Sequence, residues 1–147
     1  MSPAIQLLGP VLALILWTMV MWLWMYATRL PAIRAAGIKP DPNAPSGQQM
    51  SALPARVRWK ADNYNHLLEQ PTLFYALVVA LVLLNVNSQA ALFLAWGYVF
   101  LRVIHSLIQA LINKIEFRFL VFVLSNIPLL GLIYIAVAAF LTAQSAA

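Results

Sequence analysis

Long apolar runs alternate with short polar connections along this chain, and the runs predict transmembrane helices. Charged residues are absent from positions 1–28, 70–101 and 119–147, and each of these stretches exceeds the roughly 20 apolar residues that cross a bilayer. The middle stretch is interrupted by the polar sequence NVNSQ at 85–89. The pattern therefore predicts four crossings, at about 6–28, 66–86, 89–112 and 119–142.

A membrane span must satisfy its own backbone hydrogen bonds, and these segments are too long for barrel strands, so we expect α-helices. The predicted fold is a single all-α domain over 1–147, a four-transmembrane-helix up-down bundle. The second helix is expected to begin in water after a cap at Ser51 and to be kinked by Pro71 inside it. The predicted helices cover about 6–28, 55–86, 89–112 and 118–142, with a cytoplasmic loop over 31–54.

Composition supports a membrane protein, since 63% of the residues are hydrophobic and only 9% are charged, against about 25% charged in soluble domains. The net charge of +5 does not indicate a nucleic-acid partner, because its distribution follows the membrane. Eight of the nine Lys and Arg residues lie in or beside the first and third connections, and the other ends of the helices carry none. This positive-inside pattern predicts both termini outside and the two basic connections in the cytoplasm.

The order of charges also argues against a cleaved signal peptide, because basic residues follow the first apolar run at Arg29 and Arg34 instead of preceding it. We therefore expect the first helix to be retained. The chain contains no cysteine, so the sulfur for any thiol chemistry must come from a small molecule. His66 and His105 are isolated in the sequence, and no metal site is expected.

Two of the apolar helices carry a stripe of polar residues at helical spacing, which predicts a polar cavity open to the cytoplasm and walled by helices 2, 3 and 4. The alternative is adhesion between helices by hydrogen bonds, the favoured interpretation for Ser106, Asn113 and Ser125. The second helix presents Arg58, Asp62, Asn65, Glu69 and Thr72; the third presents Arg102, His105, Ser106, Gln109 and Asn113.

Arg102 is the residue that argues most strongly for a cavity. It lies roughly eleven residues from the cytoplasmic end of its helix, near the bilayer midplane, where an arginine costs about 2.5–3.5 kcal/mol on insertion scales. Such a residue faces a partner or water. Glu69, the one carboxylate on a transmembrane face, is the expected partner.

The runs NHLLEQP (65–71) and RVIHSLIQALINKIEFR (102–118) make the chain resemble the MAPEG family, the membrane-associated proteins of eicosanoid and glutathione metabolism. The resemblance covers nearly the whole chain. In the second run, Arg102, His105 and Arg118 match the spacing of an Arg–His–Arg set in the family's prostaglandin synthase.

The resemblance implies a homotrimer that holds glutathione, as a co-substrate, between neighbouring subunits near the cytoplasmic face. Arg118 would be the catalytic residue that stabilises the thiolate. The other implied binding residues are Asn65, Glu69, Arg102, His105 and Gln109, with Arg29 or Arg34 for a glutathione carboxylate. The implied activity is transfer of glutathione to lipophilic electrophiles, or reduction of lipid hydroperoxides, with the apolar substrate drawn from membrane lipids.

The chain departs from the family pattern at positions near the thiol. The spacing from Asn65 to the carboxylate is four residues instead of three, and Gln109 replaces a tyrosine. Phe119 and Phe122 stand in place of a serine and a tyrosine. These departures favour the alternative function, a non-catalytic trimer that binds lipid or a partner protein. The short chain carries no eukaryotic retrieval signal, so we expect a bacterial inner membrane, with both termini periplasmic.

Overall fold

The computed structural model describes residues 3–145, so the outermost two residues at each end of the domain expected over 1–147 lie outside the described part. Within that part all regular structure is helical. A 3₁₀ turn, Pro3–Leu7, precedes six α-helices. These are α1 (Leu8–Ala35), α2 (Gln48–Ser51), α3 (Ala55–Leu67), α4 (Pro71–Leu83), α5 (Gln89–Leu111) and α6 (Ile115–Ser145).

Four stretches are long and apolar enough to cross a membrane, with α3 and α4 together forming the second of them. This confirms the all-α fold with four membrane-spanning helices that the hydropathy pattern predicts. The stretches are Ala4–Ala35, Ala55–Leu83, Gln89–Leu111 and Ile115–Ser145.

The first helix continues to Ala35, past its expected end at residue 28 and into the expected loop 31–54. The residues after Pro31 are Ala, Ile, Arg and Ala, most of them good helix formers. The helix stops where Gly37 adopts a left-handed φ of +61°, which glycine does without steric cost. The Ile38 N–H then bonds back to the Ile33 carbonyl at 3.3 Å, and the remaining loop contains the short helix α2.

The second crossing is broken, not merely kinked, at residues 68–70. Pro71 has no N–H to give to the carbonyl four residues earlier, and the chain turns tightly there instead, with the Leu68 N–H on the Asn65 carbonyl at 2.9 Å. Pro71 becomes the first residue of α4, where a missing N–H is harmless. The break leaves the carbonyl end of α3 inside the bundle.

The polar face of α5 lies inside the molecule, and much of the apolar surface lies outside. Arg102, His105, Ser106 and Gln109 are all buried, whereas apolar side chains such as Leu83 and Phe93 are among the most exposed, as lipid contact requires. An apolar core seals the remainder of the bundle. It is built from Leu14, Met21, Phe74, Val78, Leu81, Ala95, Tyr98 and Leu132, among others.

Candidate functional site

A cavity of about 240 Å³ lies between the end of α3, the last turns of α5 and the first turns of α6. We call it the histidine cavity. Its wall combines two imidazoles, one amide and one guanidinium with apolar side chains. The lining residues are His66, His105, Gln109, Ile115, Arg118, Phe119 and Phe122.

The two histidines that are far apart in sequence lie against each other on this wall. The ring centroids of His66 and His105 are 4.9 Å apart, and both rings pack against Phe122, at 5.6 and 6.2 Å. His66 also pairs with Glu69, whose Oε2 lies 2.9 Å from Nδ1. His66 is not among the site residues that the sequence predicts. The signal that could have found it is the carboxylate three residues later, since residues at that spacing are neighbours on a helix.

Arg118 is held at the cavity wall by the turn that joins α5 to α6. Its Nη1 donates a hydrogen bond of 2.7 Å to Asn113 Oδ1. Asn113 itself has a φ of +52°, a conformation that asparagine adopts more readily than most residues, and its N–H bonds to the Ile108 carbonyl at 2.7 Å. Asn113 therefore ends α5 and orients Arg118, a role different from the adhesion between helices that we expected.

Arg102 is fully buried, but its expected pairing with Glu69 is wrong. Nη2 donates to the His66 carbonyl and Nη1 donates to Gln70 Oε1, both at 3.2 Å. The reason is the break before Pro71, which exposes carbonyl groups at the negative end of the α3 dipole, where a cation is favoured. Glu69 instead stays at the edge of the molecule, with 67% of its side chain exposed.

Gln70 extends this arrangement from α5 to α6. Its Nε2 donates to Asn126 Oδ1, and Asn126 Nδ2 donates to the Phe122 carbonyl at 2.8 Å. A continuous hydrogen-bonded chain thus joins Arg102 to the backbone behind Phe122, one wall of the histidine cavity. The sequence gives no local sign of these roles for Gln70 and Asn126.

Gln109 carries a group that no protein atom satisfies. The residue is 5% exposed, and its Oε1 has no hydrogen-bond partner among residues 3–145. Buried polar atoms are nearly always bonded. Gln109 lines the histidine cavity, so the unpaired oxygen belongs to a side chain of the cavity wall.

A second cavity, of about 270 Å³, lies between α3, the end of α1 and the short helix α2 with its flanking residues. It contains two of the predicted binding residues, Arg29 and Asn65. Arg34 is exposed near the end of α1 and lines neither cavity. The full lining is Arg29, Gly47, Met50, Ser51, Leu53, Val57, Arg58, Ala61, Asp62 and Asn65.

The other polar residues of the stripes are structural. Ser106 Oγ accepts from Trp17 Nε1 at 3.0 Å and from Asn63 Nδ2 at 2.6 Å, so it joins three helices as adhesion predicts. Ser125 bonds within its own helix, to the Phe122 carbonyl. The described residues contain no group of three His, Asp or Glu side chains that could hold a metal ion.

Comparison with known proteins gives one match. The model of the MAPEG family matches residues 7–138, nearly the whole chain. No curated protein and no solved structure matches.

Proposed function

The chain belongs to the MAPEG family, and from that premise we propose a membrane-bound, glutathione-dependent transferase or peroxidase that acts on lipophilic electrophiles or lipid hydroperoxides. Membership itself supports an integral membrane protein with a function related to glutathione. The observation that carries the finer proposal is Arg118, held by Asn113 at 2.7 Å on the wall of the histidine cavity.

The proposed chemistry is thiol activation by a fixed positive charge. A guanidinium beside the glutathione sulfur favours the thiolate over the thiol, because an opposite charge within a few ångströms stabilises the ionised form. The thiolate is the nucleophile. Several of the exposed apolar side chains of α6, such as Phe119, face outward near this wall, so an electrophile dissolved in lipid can reach the sulfur.

The proposed glutathione contacts come from both cavities and from the exposed residues Glu69 and Arg34, which line neither. His105 and Gln109 would hold the part of the peptide near the thiol, and Asn65 and Glu69 its polar backbone and ends. Arg29 or Arg34 would bind a carboxylate. Arg102 has its guanidinium on protein acceptors, so we assign it support of the site through His66 and Gln70.

A neighbouring subunit would complete this site in a homotrimer. Each cavity is smaller than the about 300–1,000 Å³ of typical ligand pockets. In addition, the polar stripe of α3 and α4 is exposed along its whole length, and polar groups on a crossing helix rarely face lipid. A second chain packed there would cover the stripe and bring the two kinds of cavity together. The stripe consists of Arg58, Asp62, Asn65, Glu69 and Thr72.

The proposed orientation follows the distribution of Lys and Arg. Both termini would lie in the periplasm of a bacterial inner membrane, and the glutathione site would face the cytoplasm, at the basic connections.

One observation favours a second function, a non-catalytic trimer that binds lipid or a partner protein. Phe119 and Phe122 line the histidine cavity beside Arg118, so no side-chain hydroxyl is available there to donate a hydrogen bond to a thiolate.

Thermal unfolding in detergent, followed during titration with glutathione, tests the proposal. A ligand at 100 times its Kd stabilises the folded protein by about 2.7 kcal/mol, so the melting temperature should rise with glutathione and stay constant with a mixture of its three amino acids. Conjugation of a hydrophobic aryl halide should then be detectable. Binding without turnover would favour the second function, and the absence of any shift would contradict the glutathione-dependent function.

A further inference from the structure

His66 and Glu69 form the one ion pair within residues 3–145, and His66 lines the histidine cavity. An ionised carboxylate only accepts hydrogen bonds, so the 2.9 Å contact places the proton of the neutral imidazole on Nδ1. The other ring nitrogen, Nε2, is then an acceptor. A carboxylate that fixes the tautomer and orientation of a histidine is the arrangement that general bases use.

The ring of His66 lines the histidine cavity and is held in place by its neighbours. The His66 ring packs on His105 and Phe122, and its backbone carbonyl is fixed by Arg102 at 3.2 Å. Both the ring and the main chain of His66 are therefore held in place, as positioning for proton transfer requires.

We propose that His66 is a general base, oriented by Glu69, which takes the proton of the thiol bound in the histidine cavity. The inference rests on the proposed glutathione function and deepens it. It also explains how a site with Phe119 and Phe122 on its wall activates a thiol without a hydroxyl group: the proton leaves to an imidazole, and Arg118 faces the resulting anion.

The proposed reaction is balanced in atoms and charge. The S–H bond breaks, the proton moves to His66 Nε2 and the electron pair stays on sulfur. The thiolate forms a carbon–sulfur bond with an aryl halide, and the halide leaves with the bonding pair. The imidazolium then releases its proton to water, so the products are the thioether, the halide and one proton.

The charges around the ring make Glu69 necessary. The titratable and charged groups that face His66 are Glu69 in the break after α3, Arg102 and His105 on α5, and Arg118 on α6. Both arginines oppose a positive charge on the imidazole, and Glu69 is the one carboxylate that favours it.

The test is the pH dependence of kcat for aryl halide conjugation, with glutathione binding measured separately in detergent. His66→Gln should bind glutathione normally and lose roughly 100-fold in kcat at neutral pH, within the range of general base catalysis. Its rate should recover as the pH rises and the bound thiol ionises without the base, at a pH that Arg118 holds below the roughly 8.5 of a free cysteine thiol. Glu69→Gln, an exposed change that preserves folding, should shift the profile the same way by a smaller amount.

Two further variants separate a base from a structural residue. Added imidazole should restore turnover to His66→Ala, which a packing defect would not allow. His105→Gln, the matched change on the neighbouring ring, should raise KM and leave the pH profile in place. An unchanged pH profile in His66→Gln and Glu69→Gln would overturn the dyad and leave the proposed function intact, whereas a wild-type protein without glutathione binding would overturn the proposed function and the dyad with it.

Discussion

The two arginines nearest the candidate site differ in what their charge contacts. Arg102 is fully buried and lines neither cavity. It donates to a backbone carbonyl and a glutamine, and its Nε has no partner in the described part of the chain. Arg118 is partly exposed and is held by a single amide of the neighbouring turn. A guanidinium has five N–H donors, so Arg118 keeps donors for a ligand. This difference between the two arginines depends on burial. The sequence shows only the spacing of the two residues, so it does not predict the difference.

Asn113→Gly tests whether the turn orients Arg118. Glycine adopts the positive φ of Asn113, so the end of α5 should be preserved while the 2.7 Å contact is lost. We expect an unchanged fold, glutathione binding within a few-fold of wild type and a several-fold lower turnover. The measurements are circular dichroism, thermal unfolding and conjugation rate.

Asn85→Gly is the matched control for that variant. Asn85 is the other non-glycine residue with positive φ in the described part of the chain, at +54°, and it lies in the connection between α4 and α5, at the far end of the bundle from the histidine cavity. It should retain full turnover. If both variants lose turnover equally, the loss comes from the change in the backbone and not from the contact between Asn113 and Arg118.

At the scale of elements, the break between α3 and α4 organises the site. In the sequence, Pro71 indicates that the helix is interrupted, but the groups that stabilise the break come from other helices. Arg102 of α5 bonds to it directly, and Asn126 of α6 bonds to it through Gln70. The predicted pairing of Arg102 with Glu69 is wrong, because it rests on side-chain charge alone. The carbonyl groups freed by a proline are acceptors that no residue pattern shows.

A double-mutant cycle tests this network. Arg102→Leu should destabilise the protein by about 1–3 kcal/mol, because it leaves buried acceptors unpaired. In the double variant with Gln70→Leu, the loss of unfolding free energy should differ from the sum of the two single losses by about 0.5–3 kcal/mol, as for residues in one network. Combined with Glu69→Leu, the coupling should be smaller, because Arg102 and Glu69 are joined only through His66. Chemical unfolding in detergent gives the free energies, and additivity of Arg102→Leu with Gln70→Leu would contradict the network.

At the scale of the whole molecule, the sequence predicts the crossings well and the site only in part. Four apolar runs determine four membrane-spanning helices, since hydropathy is local. The predicted site residues, however, do not meet in one place: His105, Gln109 and Arg118 line one cavity and Arg29 and Asn65 line the other. Glu69 and Arg34 line neither. How each helix is rotated and where one breaks depend on packing between helices, which helical spacing alone does not determine.

The orientation in the membrane is tested with reporter fusions. A reporter after Gln144 should be active in the periplasm, and one inserted near Ser46 should be active in the cytoplasm, because the basic residues concentrate on that side. Two reporters are compared at each position, one that is active only in the periplasm and one that is active only in the cytoplasm. The second reporter is the internal control for the first. A cytoplasmic C-terminus would place the histidine cavity on the wrong side for cytoplasmic glutathione.

The central claim is that Arg118 stabilises a glutathione thiolate, and the ultraviolet difference absorbance of bound glutathione against pH measures this directly. In the wild-type protein the thiolate signal should persist to lower pH than in free glutathione. In Arg118→Lys, which keeps the charge but loses the planar fork, the signal should move toward that of free glutathione, and conjugation should fall about tenfold, equivalent to roughly 1.4 kcal/mol. Arg56→Lys, the same change on an exposed arginine outside both cavities, should alter neither. Wild-type protein that binds glutathione but titrates like the free peptide would contradict the claim.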